Sequence, residues 1–164
     1  MPRRTAKTTE TPIVAEPRPK IPRLKYDDLK LFEPLTENQT KFFEAYKRGD
    51  YFIALHGVAG TGKTFISLYK AIQEVLEKGS SFNKIIVVRS AVQGREMGHL
   101  PGDVNDKLEI YQQPYRQICH TLFQTRNAWD RLVEHHQIEF ISTSFIRGMS
   151  FDNAIIIVDE CQNC

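Results

Sequence analysis

Residues 56–64, HGVAGTGKT, contain a glycine-rich pattern whose residue types could bind phosphate. Gly57, Gly62, Lys63 and Thr64 have the spacing of a P-loop, Gly-x-x-x-x-Gly-Lys-Thr. Glycines let successive backbone N–H groups turn inward, and a helix beginning near Lys63 would add the positive end of its dipole. Lys63 would contact the β- and γ-phosphates, and the Thr64 hydroxyl would coordinate Mg²⁺. The other members of the predicted loop are Val58, Ala59, Gly60 and Thr61.

A second group of residues that could take part in a reaction is the acidic pair Asp159 and Glu160, which ends the run AIIIVDE. The apolar residues predict a strand buried on both faces, and ligands of α/β sheets bind at the carboxyl ends of strands. Asp159 is predicted to hold Mg²⁺ and Glu160 to polarise an attacking water. This pair favours hydrolysis of a nucleoside triphosphate over phosphotransfer to a small molecule, which needs no activated water. Two solvated acids after a strand are the alternative.

The choice of base depends on Gln39, because the sequence has no Asn-Lys-x-Asp guanine reader. Gln39 lies about two dozen residues before Lys63, where several helicase-like ATPases carry a glutamine that reads the adenine edge. The stretch that begins at Thr36 also fits a capping box, with Gln39 as its reciprocal member. We therefore expect ATP as the nucleotide, with a purely helix-capping role for Gln39 as the alternative.

The elements that must position these residues follow from the apolar patterns. Strands are predicted at residues 51–56, 84–88, 138–143 and 154–159. Helices are predicted from Thr36 to a stop at Gly49, over 63–79, and over 103–135 with a break at Pro114. Strands that alternate with helices indicate an α/β fold with a mainly parallel sheet flanked by helices.

The composition of the chain is that of a globular protein, and we expect no membrane partner. It has 164 residues, of which 41% are hydrophobic and 26% charged. No apolar run approaches the roughly 18 residues of a membrane span, and no secretory signal is evident, so we expect a cytoplasmic protein. Cys161 and Cys164 form a C-x-x-C pair, but no second pair accompanies it, and with Cys119 they are expected to be reduced thiols.

The first segment differs in composition from the rest. Residues 1–25 contain seven Lys and Arg against two Glu, with many Pro and Thr. We predict a disordered basic arm over residues 1–30, followed by one domain over residues 31–164. The arm could contact nucleic acid phosphates or act only as a solubilising tail.

Three stretches together resemble the PhoH-like ATPases of bacteria and their phages. They are LTENQTKFFEAYKRGDYFIALHGVAGTGKT, RSAVQGREMGHLPGDVNDKLEIYQQPY and FIRGMSFDNAIIIVDECQN. The middle stretch is the most specific, and its matching residues are Arg89, Leu100, Pro101, Gly102 and Asp103. It departs from the family pattern at Arg95, Glu96 and Met97, and Cys161 stands where the family has alanine. The resemblance covers roughly residues 33–164.

This resemblance implies a RecA- or helicase-like P-loop NTPase core that binds ATP and Mg²⁺, with hydrolysis by the complete domain. RNA or single-stranded DNA is the implied polymer partner. Gln162 matches a helicase glutamine that links the γ-phosphate to the nucleic-acid site. Arg89, Ser90 and Arg95 correspond to a segment that contacts the sugar-phosphate backbone, unless the arginines brace acidic neighbours instead.

The family resemblance also implies further elements after the acidic pair, which supply a polar sensor and an arginine. On that basis we expect this chain to be the N-terminal part of the domain and to hydrolyse ATP poorly alone. An uncovered sheet edge would favour a homo-oligomer or a complementary C-terminal fragment as partner. A catalytically inactive nucleotide-binding or assembly subunit is the competing function. The cytoplasm of a bacterial or phage-infected cell is the expected location.

Overall fold

The computed structural model describes residues 21–90 and 104–163, with side chains for all of these except residues 104–108. Its helices are α1 (Glu37–Arg48), α2 (Lys63–Leu76), α3 (Val104–Phe123) and α4 (Ala128–Glu134). Its strands are β1 (Lys84–Arg89), β2 (Ile138–Ser142) and β3 (Ala154–Asp159), and short 3-10 turns occupy Tyr26–Asp28 and Cys161–Asn163. Predictions for most of the basic arm and for Arg95 lie outside the described residues.

The three strands form a parallel sheet in the order β2-β1-β3. The central strand β1 consists of Ile and Val between its terminal basic residues, and its four apolar residues are buried. In the register of β1 and β3, Arg89 lies opposite Asp159, so the acidic pair follows the carboxyl edge of the sheet. The predicted α/β fold with a parallel sheet is confirmed, as are the strands that begin at residues 84, 138 and 154.

Alternate residues of the strands face two different cores, as the period of an extended chain requires. Ile85, Val87 and Ile138 pack with the buried faces of α2, α3 and α4. Ile86, Val88 and Ile141 face the other side, where residues 146–151 contribute Ile146 and Phe151. The helices therefore cover one face of the sheet, and the loop before β3 covers part of the other face.

The predicted boundaries of α1 are confirmed at both ends. Thr36 is the N-cap, and its hydroxyl oxygen accepts the Gln39 backbone N–H at 3.3 Å. Gly49 ends the helix with φ of 80°, the left-handed conformation that glycine adopts without strain. In a capping box, the side chain of Gln39 would accept the backbone N–H of the N-cap residue Thr36. Its oxygen instead accepts the backbone N–H of the preceding residue, Leu35, at 2.7 Å.

The prediction of a strand at residues 51–56 is wrong. This segment is not assigned to any strand in the described parts of the chain, and Tyr51 and Phe52 are exposed. An alternating apolar pattern indicates strand propensity, but a strand also needs a neighbour with which to exchange backbone hydrogen bonds. Both edges of β1 are already paired with β2 and β3, and this segment leads into the phosphate loop (residues 57–64) without joining the sheet.

Two further expectations are corrected by tertiary packing. α3 continues through Pro114, and the break falls later, at residues 124–127. Pro114 is exposed, whereas Tyr115 and Cys119 beyond it are fully buried, so packing of that face outweighs the helix-breaking tendency of proline. Strand β3 is not buried on both faces, because Ile156 and Val158 lie on the side of the sheet away from the helices and are half exposed.

The segment before α1 packs on the helices. Leu24 and Leu29 are buried in the main core, although sequence composition assigned both to the basic arm. The Lys30 backbone N–H donates to the Leu122 carbonyl at 2.8 Å, and the Arg131 Nε donates to the Pro22 carbonyl at 2.8 Å. Ordered packing thus begins before residue 31. In the part of the chain described, no helix combines the length and apolarity needed to cross a membrane.

Candidate functional site

The phosphate loop leads into α2 through two glycines in the left-handed conformation. Gly60 and Gly62 each have φ of 80°, which most other residues reach only with strain. Gly62 is the N-cap of α2, and its carbonyl accepts the first helical bond from the Ile66 N–H at 2.9 Å. The free N–H groups and the positive dipole end of a 14-residue helix therefore point at the loop. This end of α2 is suited to an anion.

Lys63 folds back over the loop that precedes it. Its Nζ donates to the Gly57 carbonyl at 2.9 Å and to the Val58 carbonyl at 2.8 Å. The Thr61 hydroxyl also donates to the Val58 carbonyl, at 3.0 Å, which closes the turn. The ammonium group is thereby held against the loop, in which Ala59 and Gly60 are exposed.

Thr64 and Asp159 are 95 residues apart in sequence and in direct contact. The Thr64 hydroxyl donates to Asp159 Oδ1 at 3.0 Å, and both side chains are partly buried. Hydroxyl and carboxylate oxygens are hard donors, the ligand type that Mg²⁺ prefers. The contact brings together, next to the phosphate loop, the two side chains that the sequence predicts as magnesium ligands.

Glu160 and Gln162 lie immediately beyond β3. Glu160 has φ of 52°, an uncommon value for a residue other than glycine, and its carboxylate is exposed. Its carbonyl accepts the Asn163 N–H at 2.9 Å, within the short turn Cys161–Asn163. The Gln162 side-chain amide donates to Glu160 Oε2. The two predicted residues are thus joined, at the same sheet edge as Asp159.

Gln39 approaches the phosphate loop from α1. Its Nε2 donates to the Thr61 carbonyl at 3.5 Å. The same nitrogen also lies close to Gly62, 3.7 Å from the position that a Cβ atom would take there. A cavity of about 240 Å³ lies beside this contact, between Gln39, the loop and the rings of Phe32 and Phe65. A cavity thus lies beside the residue that the sequence predicts to read adenine. A larger cavity of about 550 Å³, around Lys70, contains none of the predicted site residues.

Tyr115 was not identified from the sequence, yet it contacts the acidic end of β3. Its hydroxyl donates to Asp159 Oδ2 at 2.7 Å, and its ring is fully buried. Burial, and then the bond to Asp159, raises the pKa of this phenol, so the hydroxyl stays protonated and donates at neutral pH. Tyr115 has helical spacing with the buried Cys119 and Leu122, a pattern that indicates only core packing. No sequence signal connects it with a carboxylate 44 residues away.

The residues proposed for nucleic acid are partly described. The Arg89 guanidinium lies 5.9 Å from the centroid of the Tyr111 ring on α3. Ser90 follows directly and is half-buried. Arg95 lies outside the described residues. Arg89 is thus packed against α3.

Comparison with known proteins is consistent with this geometry. A family model described as PhoH-like protein matches residues 31–164. The chain is 36% identical over 129 residues to a PhoH-like protein of Bacillus subtilis, covering 78% of this chain and 39% of the relative. It is 33% identical over 129 residues to the protein PhoH of Escherichia coli, covering 77% of this chain and 36% of the relative.

A third relative matches over a longer stretch. The chain is 31% identical over 150 residues to the protein PhoH2 of Bacillus subtilis, covering 87% of this chain and 34% of that relative. The chain thus spans less than two fifths of the length of these three relatives. The family model covers more than half of the chain, and it includes the phosphate loop and the acidic pair. The chain belongs to the PhoH-like protein family.

Proposed function

We propose that this chain is the nucleotide-binding part of a PhoH-like ATPase, which binds ATP with Mg²⁺ at the phosphate loop. The observation that carries the proposal is the 3.0 Å bond between the Thr64 hydroxyl and Asp159. It joins the loop at the start of α2 to the acidic end of β3, the two parts that a P-loop NTPase needs side by side. Hydrolysis is proposed for the complete protein.

In this proposal each residue has a separate task. The N–H groups of the loop and the Lys63 ammonium bind the β- and γ-phosphates. Thr64 and Asp159 hold Mg²⁺, which neutralises phosphate charge when bound. Glu160, exposed beyond the strand, accepts a proton from the attacking water as general base. Gln162, bonded to Glu160, is placed to respond to the γ-phosphate.

Adenine is the proposed base, read by Gln39. Support comes from the cavity of about 240 Å³ beside Gln39 and the loop, whose walls include aromatic rings. A carboxamide both donates and accepts hydrogen bonds, as the adenine edge with its N6 amino group and N7 or N1 acceptor requires. The base would lie between Phe32 or Phe65 and the loop.

RNA or single-stranded DNA remains a proposed partner of the complete protein. Arg95 and Ser90 are the better candidates for phosphate contacts, because the Arg89 guanidinium already lies over the Tyr111 ring of α3. Phosphate contacts by arginine would make binding fall with rising salt concentration. Binding measured at two salt concentrations with Arg95→Ala would test this assignment.

The nucleotide proposal is tested by titration calorimetry of ATP in Mg²⁺ with wild type and Lys63→Ala. Removal of the ammonium group deletes a charge-assisted contact of roughly 1.5–3 kcal/mol, so affinity should fall by about tenfold to a hundredfold. The matched control is Lys78→Ala, an exposed lysine beyond the other end of α2, which should bind ATP as wild type does. Equal affinity of wild type and Lys63→Ala would refute the proposal.

A further inference from the structure

The two oxygens of the Asp159 carboxylate have different hydrogen-bond donors. Oδ1 accepts the Thr64 hydroxyl at 3.0 Å, and Oδ2 accepts the Tyr115 hydroxyl at 2.7 Å. The terminal torsion of an aspartate is broad and poorly restrained by its own stereochemistry. Donors on both oxygens remove that freedom, and hydroxyl bonds to an ionised carboxylate are among the stronger ones in proteins. The orientation of the carboxylate is therefore set from both sides.

Tyr115 is itself held independently of Asp159. Its ring stacks on Trp129 with centroids 5.9 Å apart and contacts the Phe140 ring at 5.8 Å. Trp129 is fixed in turn, because its Nε1 donates to Gln112 Oε1 at 3.2 Å. A buried aromatic ring with two packed neighbours has little freedom to follow the carboxylate. The phenol is thus the fixed member of the pair.

We propose that Tyr115 is a positioning residue for the magnesium site, which fixes Asp159 so that Oδ1 stays directed toward Thr64. This inference rests on the proposed function, since it assumes that Asp159 and Thr64 hold Mg²⁺. By occupying Oδ2, the Tyr115 hydroxyl leaves one oxygen for the metal shell and prevents rotation of the carboxylate away from it.

The same hydrogen bond would form if the Tyr115 hydroxyl had only a structural role, because a buried tyrosine hydroxyl needs a hydrogen-bond partner in any case. The two roles differ in what removal of the hydroxyl changes. Tyr115→Phe keeps the ring, its stacking on Trp129 and its contact with Phe140. A purely structural hydroxyl would affect the melting temperature alone, whereas a positioning hydroxyl affects the response to Mg²⁺.

The experiment is calorimetry of ATP binding to wild type and Tyr115→Phe over a range of Mg²⁺ concentrations and in EDTA. We expect the half-saturating Mg²⁺ concentration to rise roughly tenfold in Tyr115→Phe, the effect of losing one hydrogen bond to a charged group. Affinity in EDTA should not change, because the phosphate loop is intact. Electron paramagnetic resonance of bound Mn²⁺ gives a second, spectroscopic reading of the same weakening.

The matched control is Tyr26→Phe. Its hydroxyl accepts the Gln73 side-chain amide at 2.9 Å, toward the far end of α2, so its loss should leave the Mg²⁺ response unchanged. Circular dichroism melting curves verify that both variants are folded. In an Asp159→Asn background, Tyr115→Phe should have no further effect on Mg²⁺ dependence, because the two residues act as one unit.

The outcomes separate the two proposals. If wild type binds ATP in a Mg²⁺-dependent manner and Tyr115→Phe shows the same dependence, the positioning role is wrong and the proposed function stands. An equal shift in Tyr26→Phe also overturns the positioning role. If wild type binds no ATP, or binds it without regard to Mg²⁺, both proposals fail.

Discussion

At the residue scale, the site depends on a few side chains that have two partners each. Gln39 accepts the Leu35 N–H with its oxygen and donates to the Thr61 carbonyl with its nitrogen, which links α1 to the phosphate loop. Asp159 joins Thr64 to Tyr115 by accepting a hydroxyl on each of its two oxygens. Single substitutions at these positions therefore change two contacts, and a useful variant removes only one.

Gln39→Glu is such a variant for base choice. It keeps an oxygen for the Leu35 N–H but removes the amide donor. If Gln39 reads adenine, wild type should prefer ATP over GTP, and both Gln39→Glu and Gln39→Ala should lose that preference in competition calorimetry. Gln39→Ala should also lose about 1 kcal/mol of unfolding free energy, because the bond near the N-cap is removed. If the Gln39→Glu protein discriminates between the bases as wild type does, Gln39 only caps the helix and does not read the base.

The residues of the loop and the acidic pair could be predicted from sequence because their chemistry dictates their spacing. Gly62, Lys63 and Thr64 must be consecutive for the helix to begin at the phosphate, and α2 begins at Lys63. Tyr115 could not be predicted in this way, since its contact with Asp159 depends on how α3 packs against the sheet. That packing involves residues scattered over the whole chain.

At the scale of elements, α3 connects distant parts of the molecule. It begins at Val104, directly after the segment that contains Arg95, and carries Tyr115 to the carboxyl edge of the sheet. Arg89 at the end of β1 also contacts α3 through the Tyr111 ring. A displacement of this helix would thus move the partner of Asp159.

Pro114 makes α3 less stable than its length suggests. Proline lacks the N–H that would bond the carbonyl four residues earlier, and it costs about 3 kcal/mol in a helix interior relative to alanine. Pro114→Ala should therefore raise the free energy of unfolding, by roughly 1–3 kcal/mol after allowance for the greater freedom of its unfolded chain. Urea unfolding followed by circular dichroism measures the change.

Gln113→Ala is the control, because this neighbouring position is also exposed and has no proline ring to remove. Its unfolding free energy should stay within about 0.5 kcal/mol of wild type. A loss of stability in Pro114→Ala would indicate that the helix must bend at this point for Tyr115 and Cys119 to reach the core.

The elements differ in how far sequence determines them. The runs that became β1, β2 and β3 are rich in Ile and Val and find partners in each other, so propensity and packing agree. Residues 51–56 have the same propensity without a partner strand among the described residues, and the strand did not form. Local pattern thus predicts where a strand can form, and topology decides whether it does.

At the scale of the whole molecule, the sheet has one partly covered face. Ile156 and Val158 of β3 are 49% and 50% exposed, on the side away from the helices, whereas Ile155 and Ile157 pack on the main core. Phe145 and Met149, in the loop before β3, are exposed as well. Apolar side chains next to a sheet edge favour association between molecules.

Ile156→Lys should reduce self-association while the fold is retained. The half-exposed side chain loses little burial, so we expect a cost below about 1 kcal/mol in unfolding free energy. Ile157→Lys is the matched comparison at the next position. It should lower the free energy of unfolding several times more, because it places a charge in the core. Sedimentation velocity over a range of protein concentrations measures association. A wild-type protein that stays monomeric at every concentration would contradict the expectation.

The stack of Tyr115 on Trp129 has an optical consequence. Trp129 is the only tryptophan of the chain, and it is buried. The indole emission of the protein therefore arises from a single ring, separated from the Asp159 carboxylate by one phenol. A change in charge at that carboxylate alters the field on the excited indole, and movement of the phenol alters its quenching. The unlabelled chain thus carries its own fluorophore next to the phenol that contacts the candidate magnesium site, and we expect ligand binding there to change its emission.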